Sequence, residues 1–281
     1  MISEMENVYR LGYLGPRGSF SEAAARGHSK RKKCELVECG SLEKIFSGVA
    51  SGMLEEGIVP VENSTEGSVG IVFDLLAGFD LAVREEVLLP VAHNLLARPG
   101  TPLTKIEKVL SHPQAFAQCR EFLQNRLPDV SRQECSSTAA AAVLVAESSR
   151  PWAALASAAA CVYHLEILIA GVNDFPHNAT RFLAIGREQS PCMGERCKTS
   201  LLFCVPDRPG ALYLVLREFA LRGINLTRIE SRPAKRKLGE YIFFLDFMGS
   251  VADPVVRGLL DDLSAITTGL KLLGSYFSYG G

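Results

Sequence analysis

Excess charge of one sign, apolar runs of membrane length and metal-type cysteine spacing are all missing from this 281-residue sequence. Each absence closes off a class of function. Lysine and arginine number 30 against 31 aspartates and glutamates, a net charge of −1, which argues against nucleic-acid binding by phosphate neutralisation. No apolar run is long enough to cross a bilayer. The first residues, MISEMENVYR, are acidic and carry no apolar segment of the signal-peptide kind. The eight cysteines (positions 34, 39, 119, 135, 161, 192, 197 and 204) are scattered, and none forms a C-x-x-C pair. Cys192 and Cys197 come closest to a metal pair, but no histidine or further cysteine follows at ligand spacing. All eight therefore read as reduced thiols of a cytoplasmic protein, several packed as small hydrophobes. No nucleotide-binding fingerprint is present either. What remains is an ordinary globular balance, 47% hydrophobic and 22% charged, in a chain long enough for one large or two ordinary domains.

In its first 187 or so residues the chain alternates apolar strand patterns with helical ones, and polar clusters sit at several of the turns. Tyr9 to Leu14 reads as a strand running through Gly15 to Gly18 into a helix, with Ser19 and Glu22 at capping-box spacing. Leu36 to Val37 is a short strand, and Ser41 caps a helix that places Leu42, Ile45, Phe46 and Val49 on one face. A buried strand, Ile58 to Val61, ends in Glu62, Asn63, Ser64 and Thr65 before another helix. Ligand sites of open α/β sheets lie at such C-terminal strand ends, although capping explains Ser64 or Thr65. Leu81 to Leu96 is a β-rich stretch that crosses from one lobe to a second. Val109 and Leu110 form a strand followed by Ser111, His112 and Pro113, with Pro113 suited to a first helical turn. His112 is open to two readings, ligand contact or solvated cap. Ser136, Ser137 and Thr138 open an alanine-rich helix, a seat for a carboxylate at a positive dipole end. Trp152 to Leu155, a helix over 156–163 and Ile167 to Ile169 lead to Asn178 to Phe182, where an amide, a hydroxyl and a guanidinium meet at the start of a strand reaching Ile185. The pattern implies two α/β lobes around a cleft.

Glu188 to Lys198 is linker-like in composition. Beyond it, Thr199 to Val205, a helix marked by Leu212, Val215, Leu216 and Phe219, strands at 224–231 and 241–248, a helix marked by Val255, Val256, Leu259, Leu260 and Leu263, and a strand at 270–277 give the order β-α-β-β-α-β. This is the ferredoxin-like plan. Its basic loop, with Lys235, Arg236, Lys237 and Gly239, reads as a solvated hairpin tip.

Five segments in series, YLGPRGSFSEAAA, VPVENSTEGSV, SHPQAFAQC, SSTAAAA and NATRFLAIG, resemble prephenate dehydratase. The tail resembles an ACT regulatory domain, through Gly210 to Leu212 and Glu230 to Pro233. The resemblance spans about Tyr9 to Phe277. It implies a two-lobed catalytic domain at 8–188, like periplasmic binding proteins in plan (lobes 8–80 plus 165–188, and 81–164), and an α+β ACT domain at 198–277. No chorismate mutase segment precedes the first motif, so a monofunctional enzyme is expected. Three positions depart from the family's pattern. Ser19 replaces a common threonine, His164 stands where glycine is frequent, and Tyr213 stands where valine is usual.

The implied reaction removes the ring hydroxyl and ring carboxylate of prephenate to give phenylpyruvate, carbon dioxide and water. It needs no cofactor, because aromatisation drives it. It does need a dianion held in one orientation and help for a poor leaving group. By resemblance, Thr180 serves the leaving hydroxyl through a strong hydrogen bond or relay. Asn63, Ser64, Ser137 and Thr138 are the expected substrate seats. Arg181 either counters a substrate carboxylate or is structural, since adjacent strand residues point to opposite faces. Phe182 is expected to pack. Glu62 or Glu66 is either a general acid with a burial-raised pKa or an ordinary carboxylate. For the tail domain the resemblance implies L-phenylalanine bound between two copies, as effector of a homodimer or homotetramer. Gly210, Ala211 and Leu212 offer helix N–H groups, Asn225 takes the ammonium, and Glu230, Ser231, Arg232 and Pro233 shape the pocket. The alternatives are arogenate dehydratase and a non-catalytic two-lobed ligand sensor.

Overall fold

The computed structural model describes residues 8–30, 34–194, 196–234 and 240–278. In chain order the elements begin with β1 (Tyr9–Leu14), α1 (Phe20–Ser29), β2 (Cys34–Cys39), α2 (Leu42–Ser51), β3 (Glu56–Asn63), β4 (Gly67–Ser68) and α3 (Gly70–Gly78). There follow β5 (Ala82–Pro90), β6 (Asn94–Ala97), β7 (Lys108–Ser111), α4 (Pro113–Gln118), α5 (Arg120–Arg126), β8 (Ser131–Glu134), α6 (Thr138–Glu147), β9 (Trp152–Ala156), β10 (Glu166–Ile169) and β11 (Ala179–Gly186). The tail holds β12 (Cys197–Cys204), α7 (Ala211–Leu221), β13 (Leu226–Pro233), β14 (Tyr241–Met248), α8 (Pro254–Ile266) and β15 (Gly269–Phe277). The expected basic hairpin tip and most of the acidic N-terminus lie outside the described residues. Among those described, no helix is long and apolar enough to cross a membrane.

The chain divides into two compact units. The first takes Met1–Lys44, Glu62–Gly67 and Leu89–Thr180; the second takes Ile45–Val61, Ser68–Leu88 and Arg181–Gly281. Two strands run from one unit into the other: β3 leaves the second unit after Val61, and β11 enters it at Arg181.

In the first unit, β1 and β2 pair in parallel, from Tyr9 with Cys34 to Leu14 with Cys39. The expected cap of α1 forms: Ser19 Oγ accepts from the Glu22 N–H at 3.2 Å. The reciprocal bond differs in one detail, because the Glu22 carboxylate takes the Gly18 N–H rather than that of Ser19. A five-stranded sheet runs in the order β10-β6-β9-β7-β8. Strand alternation sorts its side chains into two cores. Leu95, Val109 and Leu155 pack with Leu123 on one face, while Leu96, Leu110 and Ala154 pack with Ala141, Ala142 and Val145 of α6 on the other. The stretch expected as a helix over 156–163 is a 3-10 turn, Ala158–Tyr163, and His164 closes it at φ 61°. That left-handed conformation favours glycine, which is the residue the resemblance leads one to expect there in place of His164.

In the second unit, β11 lies between β3 and β5. The tail forms a four-stranded antiparallel sheet in the order β13-β14-β12-β15, with the expected β-α-β-β-α-β connection. Leu201, Phe203, Leu245 and Phe247 bury one face under Val215 and Phe219 of α7 and Val256, Leu259 and Leu263 of α8. The thiol reading needs one correction. Cys192 and Cys197 form a disulfide across the linker turn, their Cα atoms 6.0 Å apart, within bridging reach. The pair that spacing offered as metal ligands satisfies itself instead.

Candidate active site

The first unit gathers the Thr180 segment, the Glu62–Gly67 segment and α4. Asn63 ends β3, and its Nδ2 donates to Thr180 Oγ1 at 2.9 Å. Its own Oδ1 accepts the N–H groups of Thr65 and Glu66 at 3.0 and 3.1 Å, closing an Asx-type turn. The Asn63 side chain therefore cannot rotate without losing bonds at both ends. Ser64 docks the same turn onto β11: its N–H donates to the Ala179 carbonyl at 2.9 Å, and its Oγ accepts the Ala179 N–H at 3.0 Å. The Ser64 hydroxyl donates to Asn178 Oδ1 at 3.1 Å. This overturns the capping explanation of Ser64 and Thr65. Helix α3 starts only at Gly70, and Val69 is its N-cap without any side-chain bond.

Behind this turn lies an amide network that sequence reading missed. Asn178 is buried, and its Nδ2 donates to Gln118 Oε1 at 3.0 Å. The same oxygen lies 3.0 Å from Nε2 of the buried His93, so that nitrogen carries the proton. Burial holds the His93 pKa below its ordinary value of 6.5, against the opposing hydrogen bond with Gln118. Gln118 and Gln114 both donate to the Glu66 carboxylate. The signal available in sequence was the four-residue spacing of Gln114 and Gln118 on one helix face.

His112 is a cap of α4, its Nδ1 accepting the Gln114 N–H at 3.3 Å. Cys119, fully buried after this helix, has its thiol pushed up to about 12 by burial. Ser137 caps α6 through the Ala140 N–H at 2.9 Å, with Thr138 as the first helical residue. Phe182 is 1% exposed and packs as expected.

Arg181 belongs to the second unit and is committed to it. Its guanidinium donates to Glu86 at 2.6 Å, Asp246 at 2.5 Å and the Tyr276 hydroxyl at 3.0 Å. Burial pulls its pKa down, but Asp246, Tyr276 and Glu86 more than reverse this, so the guanidinium stays charged. Of the two readings of Arg181, this geometry agrees with the structural one.

In the tail, Gly210 is the N-cap of α7 at φ 82°, leaving helix N–H groups without a side-chain cap. A cavity of about 340 Å³ includes Gly210, Ala211, Leu212, Tyr213 and Tyr241 in its lining. Asn225 and the Glu230–Pro233 stretch do not line it. Asn225 uses its carbonyl to accept the Met248 N–H at 2.9 Å. Glu230 accepts from Ser68 Oγ at 2.7 Å, and Arg232 lies 3.7 Å from Asp74. Ser231 and Pro233 are exposed on β13. Among the described residues no group of three or more His, Cys, Asp or Glu side chains is placed to hold a metal ion.

Comparison with known proteins matches residues 11–190 to the prephenate dehydratase family and residues 199–264 to the ACT domain family. The prephenate dehydratase of Methanocaldococcus jannaschii is 40% identical over 276 residues, covering 94% of this chain and 96% of that protein. The crystal structure of prephenate dehydratase from Arthrobacter aurescens in complex with L-Phe superposes with a TM-score of 0.89 at 35% identity, covering 96% of this chain and 90% of the other. A solved structure of GqqA, described as a novel type of quorum-quenching acylase, superposes with a TM-score of 0.88 at 32% identity, covering 96% and 98%.

Proposed function

Because the chain belongs to the prephenate dehydratase family, we propose that it converts prephenate to phenylpyruvate under feedback control by L-phenylalanine. The observation that carries the chemistry is the Asn63–Thr180 hydrogen bond. Asn63 occupies a lone pair of Thr180 Oγ1 as a donor, so the threonine proton is left to point at another acceptor. A donor that is itself hydrogen-bonded at oxygen gives a stronger bond. The acceptor is the ring hydroxyl of prephenate. As the ring carboxylate leaves as carbon dioxide, its bonding electrons enter the ring and the carbon–oxygen bond breaks. The departing oxygen carries developing negative charge, which the Thr180 hydroxyl stabilises. It then takes a proton that solvent resupplies, and leaves as water. Asn63, Ser137 and Thr138 supply neutral donors for the substrate, the last two at the positive N-terminal end of α6. Ser64, whose proton goes to Asn178, holds the turn that carries Asn63.

The catalytic domain on this reading is 8–188, in lobes 8–80 plus 165–188 and 81–164, and the regulatory domain is 198–277. L-phenylalanine occupies the α7 N-terminus through Gly210, Ala211 and Leu212. Asn225, Glu230, Ser231, Arg232 and Pro233 come from a second copy in a cytoplasmic homodimer or homotetramer, consistent with their absence from the cavity around Gly210. Fold alone does not choose the reaction, as the acylase with a similar structure illustrates; the family match and the Asn63–Thr180 pair are what support the dehydratase reading. The test is phenylpyruvate formation from prephenate by the purified chain, with and without L-phenylalanine, beside Thr180→Ala. The expected result is turnover that L-phenylalanine lowers and the variant abolishes. Turnover of arogenate alone moves the substrate to the transaminated compound. Binding of prephenate without turnover of either leaves a ligand sensor.

A further inference from the structure

A carboxylate can only accept hydrogen bonds, and one carboxylate sits at the end of the amide network behind Thr180. Glu66 Oε1 accepts from Gln118 Nε2 at 3.0 Å and Glu66 Oε2 from Gln114 Nε2 at 3.1 Å. Gln118 is 6% exposed, and the oxygen at its other end faces two donors, Asn178 Nδ2 and His93 Nε2. Turning this amide over would set its oxygen against the carboxylate and its NH₂ against both donors. Glu66 thus allows Gln118 one orientation. The direction then propagates. Asn178 spends its NH₂ on Gln118 and keeps Oδ1 for Ser64. Ser64 spends its only proton there and offers a lone pair to the Ala179 N–H. His93 keeps its proton on Nε2, and its buried Nδ1 has no hydrogen-bond partner among the described residues.

We propose that Glu66 is a positioning residue for the dehydration: it fixes the direction of the hydrogen-bond chain Ser64 to Asn178 to Gln118 to Glu66, and with it the placement of the Asn63–Thr180 pair. Ser64 and Ala179 are the immediate neighbours of those two residues, so a loosened chain shifts both partners. The inference rests on the proposed reaction for its kinetic part. Its network part is independent of any substrate. Glu66 is itself exposed, so its replacement by an isosteric amide leaves the fold in place.

The experiment compares wild type, Glu66→Asp and Glu66→Gln in two readouts. The first is steady-state turnover of prephenate. Glu66→Gln is expected to lower kcat about tenfold to a hundredfold, with KM and the thermal midpoint close to wild type, and Glu66→Asp to fall between. The second is the tautomer of His93 by ¹⁵N NMR, expected as Nε2–H in wild type and mixed in Glu66→Gln, where Gln118 is free to turn. A kcat within twofold of wild type in Glu66→Gln overturns the proposal. So does a lowered kcat with an unchanged His93 tautomer, since the loss would not then pass through the network. A wild-type protein inert toward prephenate, with the tautomer still responding, sinks the dehydratase reading and leaves the polarity-setting role standing.

Discussion

Replacing Arg181 by methionine tests whether the residue next to Thr180 serves structure. Its guanidinium side chain is 10% exposed, and its partners Glu86 and Asp246 are 1% and 11% exposed. Lys198 Nζ also donates to Glu86, at 2.7 Å. Two cations thus face two carboxylates, and the cluster is neutral. Arg181→Met leaves one uncompensated buried negative charge. Breaking a buried pair from one side typically costs about 3–5 kcal/mol. Glu86 retains Lys198 and the Ser278 hydroxyl, and Asp246 retains Ser200, which places the cost near the lower end, about 3 kcal/mol. At about 2–4 °C per kcal/mol for a chain of this size, the transition of the second unit should fall by about 6–12 °C in scanning calorimetry at neutral pH. Removing the opposing charge as well, in Arg181→Met with Asp246→Leu, restores neutrality and should recover a large part of that loss. Arg181→Lys keeps the charge but loses the planar fork that spans Glu86, Asp246 and Tyr276, and should fall between wild type and Arg181→Met. A thermal midpoint for Arg181→Met within 1 °C of wild type would refute this electrostatic reasoning. So would a double variant that loses the sum of the two single losses.

Two further outcomes follow from the same physics. Gly274 sits at φ 151°, and a Cβ there would lie 2.3 Å from the Val83 carbonyl oxygen; Gly274→Ala should cost at least the about 1–3 kcal/mol of backbone strain, read as a lower denaturation midpoint. The control Gly67→Ala, at φ 83° with nothing within 4 Å of a Cβ, should cost less. His93 has a pKa held below 6.5 by burial, so the unfolded chain takes up the proton first. Its contribution to stability is complete above about pH 6.5 and declines as pH falls below it, by at most about 1.4 kcal/mol per pH unit. Denaturation midpoints measured from pH 7 to pH 5 should show a slope that His93→Gln flattens, and equal slopes would remove the assignment.

How far the structure could be read from sequence depended on whether a feature was local. The caps at Ser19 and Ser41, the helix opening at Ser137 and Thr138 and the proline start of α4 all form, because each needs only residues three or four apart. The tail's β-α-β-β-α-β order was legible for a related reason: its strands and helices carry strong apolar periodicity over one buried face. Strand β8, Ser131–Glu134, was missed because Ser-Arg-Gln-Glu has no apolar alternation; it pairs only with β7 and is mostly exposed. The disulfide was missed because a five-residue separation of cysteines leaves open whether the turn between them folds back. Side-chain partnerships across long separations were out of reach altogether. Strand alternation did say that Thr180 and Arg181 point to opposite faces. It could not say that Asn63, 117 residues away, would meet one and that Glu86 and Asp246 would enclose the other.

That alternation also explains why one strand can serve two purposes. For its proposed role the Thr180 hydroxyl must keep its proton free, and its partner is a neutral amide in a turn that amide itself closes. At Arg181 a guanidinium must be held, so its partners are buried carboxylates and a tyrosine that burial keeps protonated. An exchange of these surroundings would defeat both, because a carboxylate beside Thr180 would capture its proton and an amide beside Arg181 would leave a buried charge unpaired. The reactivity proposed for one position and the rigidity of the next therefore require opposite electrostatic environments less than one strand repeat apart. The pleat of β11 supplies them by sending consecutive side chains to different neighbours.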